Sequence, residues 1–94
     1  MTNYELMFII DPVFDDEAKK QVIETVKEII AADGTVKEED VWGMRKFAYP
    51  INKKTEGYYV VLQFEASPQL PKELDRRLKI SDYCMRHLIV NKDA

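Results

Sequence analysis

Two segments whose apolar residues recur every three or four positions are set between aromatic and β-branched runs, and that order leaves few folds open. The first holds Ala18, Val22, Val26, Ile29 and Ile30, the second Leu70, Leu74 and Leu78. Spacing of this kind lays one apolar stripe of a helix against a core. Ahead of the first lies Tyr4 to Ile10, a strand-like run stopped by Asp11-Pro12. Between the helices come a long extended region, Thr35 through Tyr49, and a further strand from Tyr58 to Glu65. Tyr83 to Val90 makes the last strand, before a polar tail, Asn91-Lys92-Asp93-Ala94. The order is β-α-β-β-α-β. Two interlocked split βαβ units with right-handed crossovers predict an α+β, ferredoxin-like sandwich. It is a four-stranded antiparallel sheet with both helices on one face and no cover on the other. Ninety-four residues suit a single domain, 1–94, with one core.

Local signals agree with that order. Asp15 is a helix N-cap, and Asp16 and Glu17 put negative charge at the positive end of the helix dipole. Gly34 is the expected stop of that helix. A bulge is expected at Trp42-Gly43, in the long extended region. Pro50 through Gly57, rich in turn formers, predicts a hairpin with a long loop. Ser67-Pro68 opens the second helix, where Pro71 is tolerated because first-turn N–H groups lack partners. Glu73–Arg77 and Asp75–Lys79 are oppositely charged i,i+4 pairs on its surface.

Catalytic and ligand-holding constellations are missing. His87 is the single histidine, and no carboxylate lies within three residues to orient it as a base. One Cys and one His cannot make a conventional zinc site, and three glycines make no phosphate loop. The loop from Asp11 to Asp15 is anionic and would repel phosphate. Cys84, alone in an apolar stretch, reads as a small core residue and fits a reducing cytosol. No run approaches the roughly 20 apolar residues of a membrane span, and no basic region precedes a hydrophobic one at the N-terminus. No catalytic residue, cofactor, metal or membrane partner is expected.

Charge is distributed unevenly. Residues 1–40 carry eleven acids and four bases, residues 41–94 six acids and ten bases. Such asymmetry points to a localised anionic partner. Arg45, Lys46, Lys53 and Lys54 crowd the hairpin, beside Trp42-Gly43 and Tyr58-Tyr59. Lysines alone would read as solubilising an edge; with the aromatics they suit RNA and a protein partner.

The bare face supplies the second surface. Tyr58, Val60, Leu62 and Phe64 should face the helices together with Tyr4, Leu6, Phe8 and Ile10, leaving Met7, Ile9, Tyr59 and Val61 as an apolar patch on the other side. Such a patch marks an interaction surface, either for a partner or for a second copy of the chain. An RNA-recognition-motif platform is not formed, because after Tyr58 the next stacking position is Val60. RNA would be met by loops, edges and cations.

Tyr4-Glu5, Pro12, Trp42-Gly43 followed by Arg45, Ala48-Tyr49-Pro50-Ile51 with Lys53, and Gly57-Tyr58 together resemble the bacterial small-subunit ribosomal protein S-six family. Leu74, Leu78 and Arg86 continue the resemblance, which covers essentially the whole chain. It implies a ferredoxin-like fold, no catalysis and a place on the cytoplasmic ribosome. It further implies binding to the central domain of small-subunit ribosomal RNA with ribosomal protein S-eighteen. RNA contacts are then expected from Tyr4, Arg45, Lys46, Lys53, Lys54 and Arg86, and partner contacts from Met7, Ile9, Trp42, Tyr59 and Val61. The free protein is expected to be a monomer. Thr2 and Asn3 stand where relatives often carry Arg or His, which shifts the RNA contacts toward the hairpin and Arg86. A homo-oligomeric ferredoxin-like domain that binds a small ligand or regulates an enzyme is the alternative; it gives the four hairpin cations no common role.

Overall fold

The computed structural model describes residues 1–51 and 53–93. Its elements are β1 (Thr2–Ile10), α1 (Asp16–Ala31), β2 (Gly34–Ile51), β3 (Lys54–Ala66), α2 (Leu70–Ile80) and β4 (Cys84–Asn91). The strands form one sheet in the order β2-β3-β1-β4, each neighbouring pair antiparallel. This is the ferredoxin-like arrangement that the element order predicts.

The core lies between the sheet and the helices. Leu6, Phe8 and Ile10 of β1 meet Val60, Leu62 and Phe64 of β3, all essentially sealed from solvent. Val26 and Ile30 from α1, with Leu74 and Leu78 from α2, cover them. Each fully buried aliphatic side chain contributes about 1.5–3 kcal/mol relative to exposure, so this layer holds the helices to the sheet. Tyr58 sits at the layer's end with the Lys19 amine 4.8 Å from its ring centroid. That cation–π contact, with an ion pair to Asp16 at 3.8 Å, accounts for the buried lysine.

Helix α1 begins as expected: the Asp15 carboxylate accepts from the Ala18 N–H at 2.8 Å. Its end differs. Ala32 is the C-cap in a right-handed conformation, and Gly34 already starts β2. Helix α2 lacks a side-chain cap, tolerates Pro71 in its first turn, and forms both expected ion pairs, Glu73–Arg77 and Asp75–Lys79, at 3.0 Å.

The hairpin is tighter than its turn-forming residues suggest. β2 runs through Pro50 to Ile51, and Ile51 pairs with Lys54; Lys53 has φ 64°, and Asn52 of the expected loop lies outside the described residues. Pro50 fits because β2 is an edge strand, where a missing N–H removes no ladder bond. The register also shifts between Lys46 and Ile51, so β2 bulges on its way to the turn. A second bulge sits where expected, between Val41 and Gly43, with Gly43 at φ 82°. The tail is not a loose appendage as far as Asp93: the Asn3 N–H donates to the Asp93 carboxylate at 2.9 Å, and the Lys92 N–H to the Asn3 carbonyl at 2.8 Å. Ala94, the tail's last residue, lies outside the described residues.

Candidate RNA and protein interface

Register sorts the open face into rungs. Leu88, Met7, Val61 and Asp40 form one across the four strands; Arg86, Ile9, Tyr59 and Gly43 form the next toward the hairpin. Val90, Glu5, Gln63 and Glu38 form the rung on the other side. Met7, Ile9, Tyr59 and Val61 are thus side by side, as alternation predicts.

Their exposure is more restricted than a bare sheet implies. Ile9 and Val61 are only 5 % and 6 % exposed, while Met7 and Tyr59 are half-buried. Neighbouring aromatics close over them. The Trp42 ring stacks on Tyr59 with centroids 6.2 Å apart and planes at 2°, and the Phe47 ring lies 6.1 Å from Tyr59 with planes tilted at 48°. The Val41/Gly43 bulge aims Trp42 here, and its indole N–H donates to the Asp40 carboxylate at 2.9 Å. Gly57 leaves room for this packing: a Cβ there would run into the Ile9 and Phe47 side chains. A row Trp42–Tyr59–Phe47 therefore crosses two strands. It is not the alternate-residue platform sought along β3, and Phe47 was not among the expected site residues.

The apolar surface left accessible lies on Trp42 and along β4, where Leu88 is 55 % exposed beside an exposed Val90. Leu88 and Val90 were missed although alternation in β4 carries the signal: Arg86, Leu88 and Val90 share one face once β4 is placed next to β1.

The expected RNA residues divide. Arg45, Lys46, Lys53 and Arg86 are exposed and, among the described residues, form no ion pair; Arg45 donates only to the Met44 carbonyl, at 3.3 Å. Lys46 and Arg86, forty residues apart in sequence, line one cleft with Phe47, Tyr49, Pro50 and Tyr59. Lys54 is half-buried and paired with Asp11 at 3.4 Å, so much of its charge is already met. Tyr4 differs from the others: the residue is only 7 % exposed and its ring stacks on Phe64 at 5.5 Å on the helix side, which leaves little of it for an RNA contact.

His87 points to the opposite face from Arg86. Its Nε2 lies 2.5 Å from Asp75 Oδ1, a carboxylate supplied by α2 and not by its own strand. His87, and then Lys79, hold the Asp75 carboxyl below its usual range. The pair clamps α2 to β4. The Cys84 thiol donates to the Arg86 carbonyl at 3.2 Å, and burial pushes its pKa up to about 11, which suits a packing residue and not a nucleophile.

Comparison with known proteins agrees with this fold. Residues 3–91 match the family described as ribosomal protein S6. The small ribosomal subunit protein bS6 of Clostridium novyi is 50% identical over 94 residues, covering 99% of each chain. That of Clostridioides difficile is 46% identical over 90 residues, covering 96% of this chain and 98% of its own. The crystal structure of 30S ribosomal protein S6 from Thermotoga maritima superposes with a TM-score of 0.93 at 34% identity, covering 98% of this chain and 88% of that one.

Proposed function

We infer that the chain, which belongs to the ribosomal protein S6 family, binds the central domain of small-subunit ribosomal RNA jointly with ribosomal protein S-eighteen. Family membership makes it a non-enzymatic constituent of the small subunit of the cytoplasmic ribosome. The joint RNA and protein contacts are the inferred part. They rest on one observation: exposed cations that form no ion pair among the described residues gather toward the hairpin end of the sheet. Arg45, Lys46, Lys53 and Arg86 stand there, while Glu5, Glu38, Asp40 and Glu65 lie toward the other end, where Lys92 is bonded to Gln63.

In this reading the four cations bind phosphates, and the apolar middle, from Trp42 and Tyr59 across Met7, Ile9 and Val61 to Leu88, receives the partner protein. Aromatic anchors at the centre of a patch suit a protein interface. The acids set a limit on RNA affinity. With a net charge of −3 the chain binds RNA weakly alone and strongly beside its partner.

The test is binding to the central-domain fragment across a salt series, with and without the partner. Changing Arg45, Lys46, Lys53 and Arg86 together to Ala should flatten the dependence of log affinity on log salt by roughly 3 units, at about 0.7–0.9 per phosphate contact. An unchanged slope would reduce these cations to solubilising groups.

A further inference from the structure

Tyr49 stands out at the hairpin. It is 82 % exposed, the most exposed of the large apolar and aromatic side chains among the described residues. An aromatic ring left in water at the edge of a cationic surface has no stabilising role that the fold requires. Beside it is a cleft of about 380 Å³ lined by Lys46, Phe47, Tyr49, Pro50, Tyr59 and Arg86. That volume falls within the roughly 300–1,000 Å³ of small-molecule sites. Two cationic and three aromatic residues line it, and no acidic residue does. Glu56 pairs with Lys46 across the ladder but is not part of the lining, and among the described residues it forms no ion pair with it.

The combination matches the chemistry of a single unstacked nucleotide. Aromatic faces accept a base whatever its sequence, and flanking cations hold its phosphates. An acidic peptide would use the cations but leave the rings without partners, and an apolar peptide would strand the charges. We propose that the Tyr49 cleft captures one base extruded from the bound RNA, stacked on Tyr49, with Lys46 and Arg86 on the neighbouring phosphates. The proposal rests on the RNA-binding reading above and adds to it a base contact from a residue outside the phosphate-binding set.

Stacking and ion pairing separate in a salt titration, because only the latter releases counterions. Base–aromatic stacking lost on alanine substitution corresponds to a drop of about 5- to 150-fold in affinity. Tyr49→Ala should therefore weaken binding to the central-domain fragment by that factor, with the partner present and the salt slope unchanged. Tyr49→Phe should restore it, since the ring and not the hydroxyl stacks. Lys46→Ala and Arg86→Ala should each flatten the slope by roughly 0.7–0.9. The Tyr49 variants should melt with the parent protein, as the side chain lies in solvent.

Four results overturn the inference. Full RNA affinity in Tyr49→Ala, with the cation variants still altering the slope, removes the base contact and leaves the RNA reading standing. A Tyr49→Ala defect that Phe does not repair removes stacking as its cause. An equal loss of partner-protein binding without RNA assigns the ring to the protein interface. An unaltered protein that fails to bind the fragment beside its partner overturns both this inference and the reading beneath it.

Discussion

Gly57→Ala should destabilise the protein, and the sign of the effect tests the packing of the open face. In a strand without steric conflict, exchanging Gly for Ala stabilises by about 0.5–1 kcal/mol, because Gly loses more chain entropy on folding. Here a Cβ would fall well inside contact distance of the Ile9 Cγ2 and 2.8 Å from the Phe47 Cζ. Ile9 is buried and cannot swing away; Phe47 is half-buried and can, but only by leaving Tyr59, 6.1 Å from it. Overpacking of this kind costs about 1–3 kcal/mol, and a clash with the buried Ile9 puts this case in the upper half of that range, so after the entropic gain the net expectation is a loss of about 1–2 kcal/mol. At about 4–8 °C per kcal/mol for a domain of this size, the Tm falls by roughly 4–16 °C. Thermal melts and urea titration read it, with an unchanged urea m-value showing that stability alone moved. Phe47→Leu removes the ring tip and should relieve part of the penalty, a coupling of at least about 0.5 kcal/mol in the double-mutant cycle. A Gly57→Ala protein as stable as its parent, or more so, would refute this account and show the face to be loosely packed.

Three further outcomes are expected. Asp15→Ala removes the acceptor for the Ala18 N–H and should cost about 1 kcal/mol, largely recovered by Asp15→Asn; equal losses for both would assign the effect to charge and not to the cap. Hydrogen bonds from Arg76 and then Arg77 lower the Glu73 carboxyl from its usual 4.5 to about 2. Because the folded value is the lower one, its stabilising contribution is present above about 4.5 and fades as pH falls toward 2. The Tm gap between the parent and Glu73→Gln should close over that window, and a gap constant from pH 5 to 2 would contradict the linkage. With its thiol pushed up to about 11 by burial, Cys84 should react with a thiol reagent at pH 8 far more slowly folded than in denaturant, and equal rates would contradict the burial.

What could be read from the chain is what depends on neighbours a few residues away. The Asp15 cap, Pro71 in the first turn of α2, the Val41/Gly43 bulge and the buried lines of both helices follow from caps, φ preferences and the 3.6-residue period. The two periods in their order are enough to name the sandwich, since connection handedness leaves little else. Alternation likewise puts Met7, Ile9, Tyr59 and Val61 on one face. The run Trp42 to Tyr58 carries the resemblance to the family that residues 3–91 match.

Contacts made across strands escape such reading. Phe47 reaches Tyr59 because the bulges of β2 reset which way its side chains point; Lys54 meets Asp11 because two loops converge at one end of the sheet. Asp75 orients His87 from a different element, and Asp93 ties down Asn3 from ninety residues away. Tyr4 carries a family-like position, yet its ring belongs to the core with Phe64. The sequence by itself determined the elements, their order and which apolar residues share the open face, because period and capping are written locally. Only the tertiary structure decided which aromatic rings meet, which cations stay unpaired and which part of the patch is open, because those depend on distances across the sheet that chain spacing does not encode.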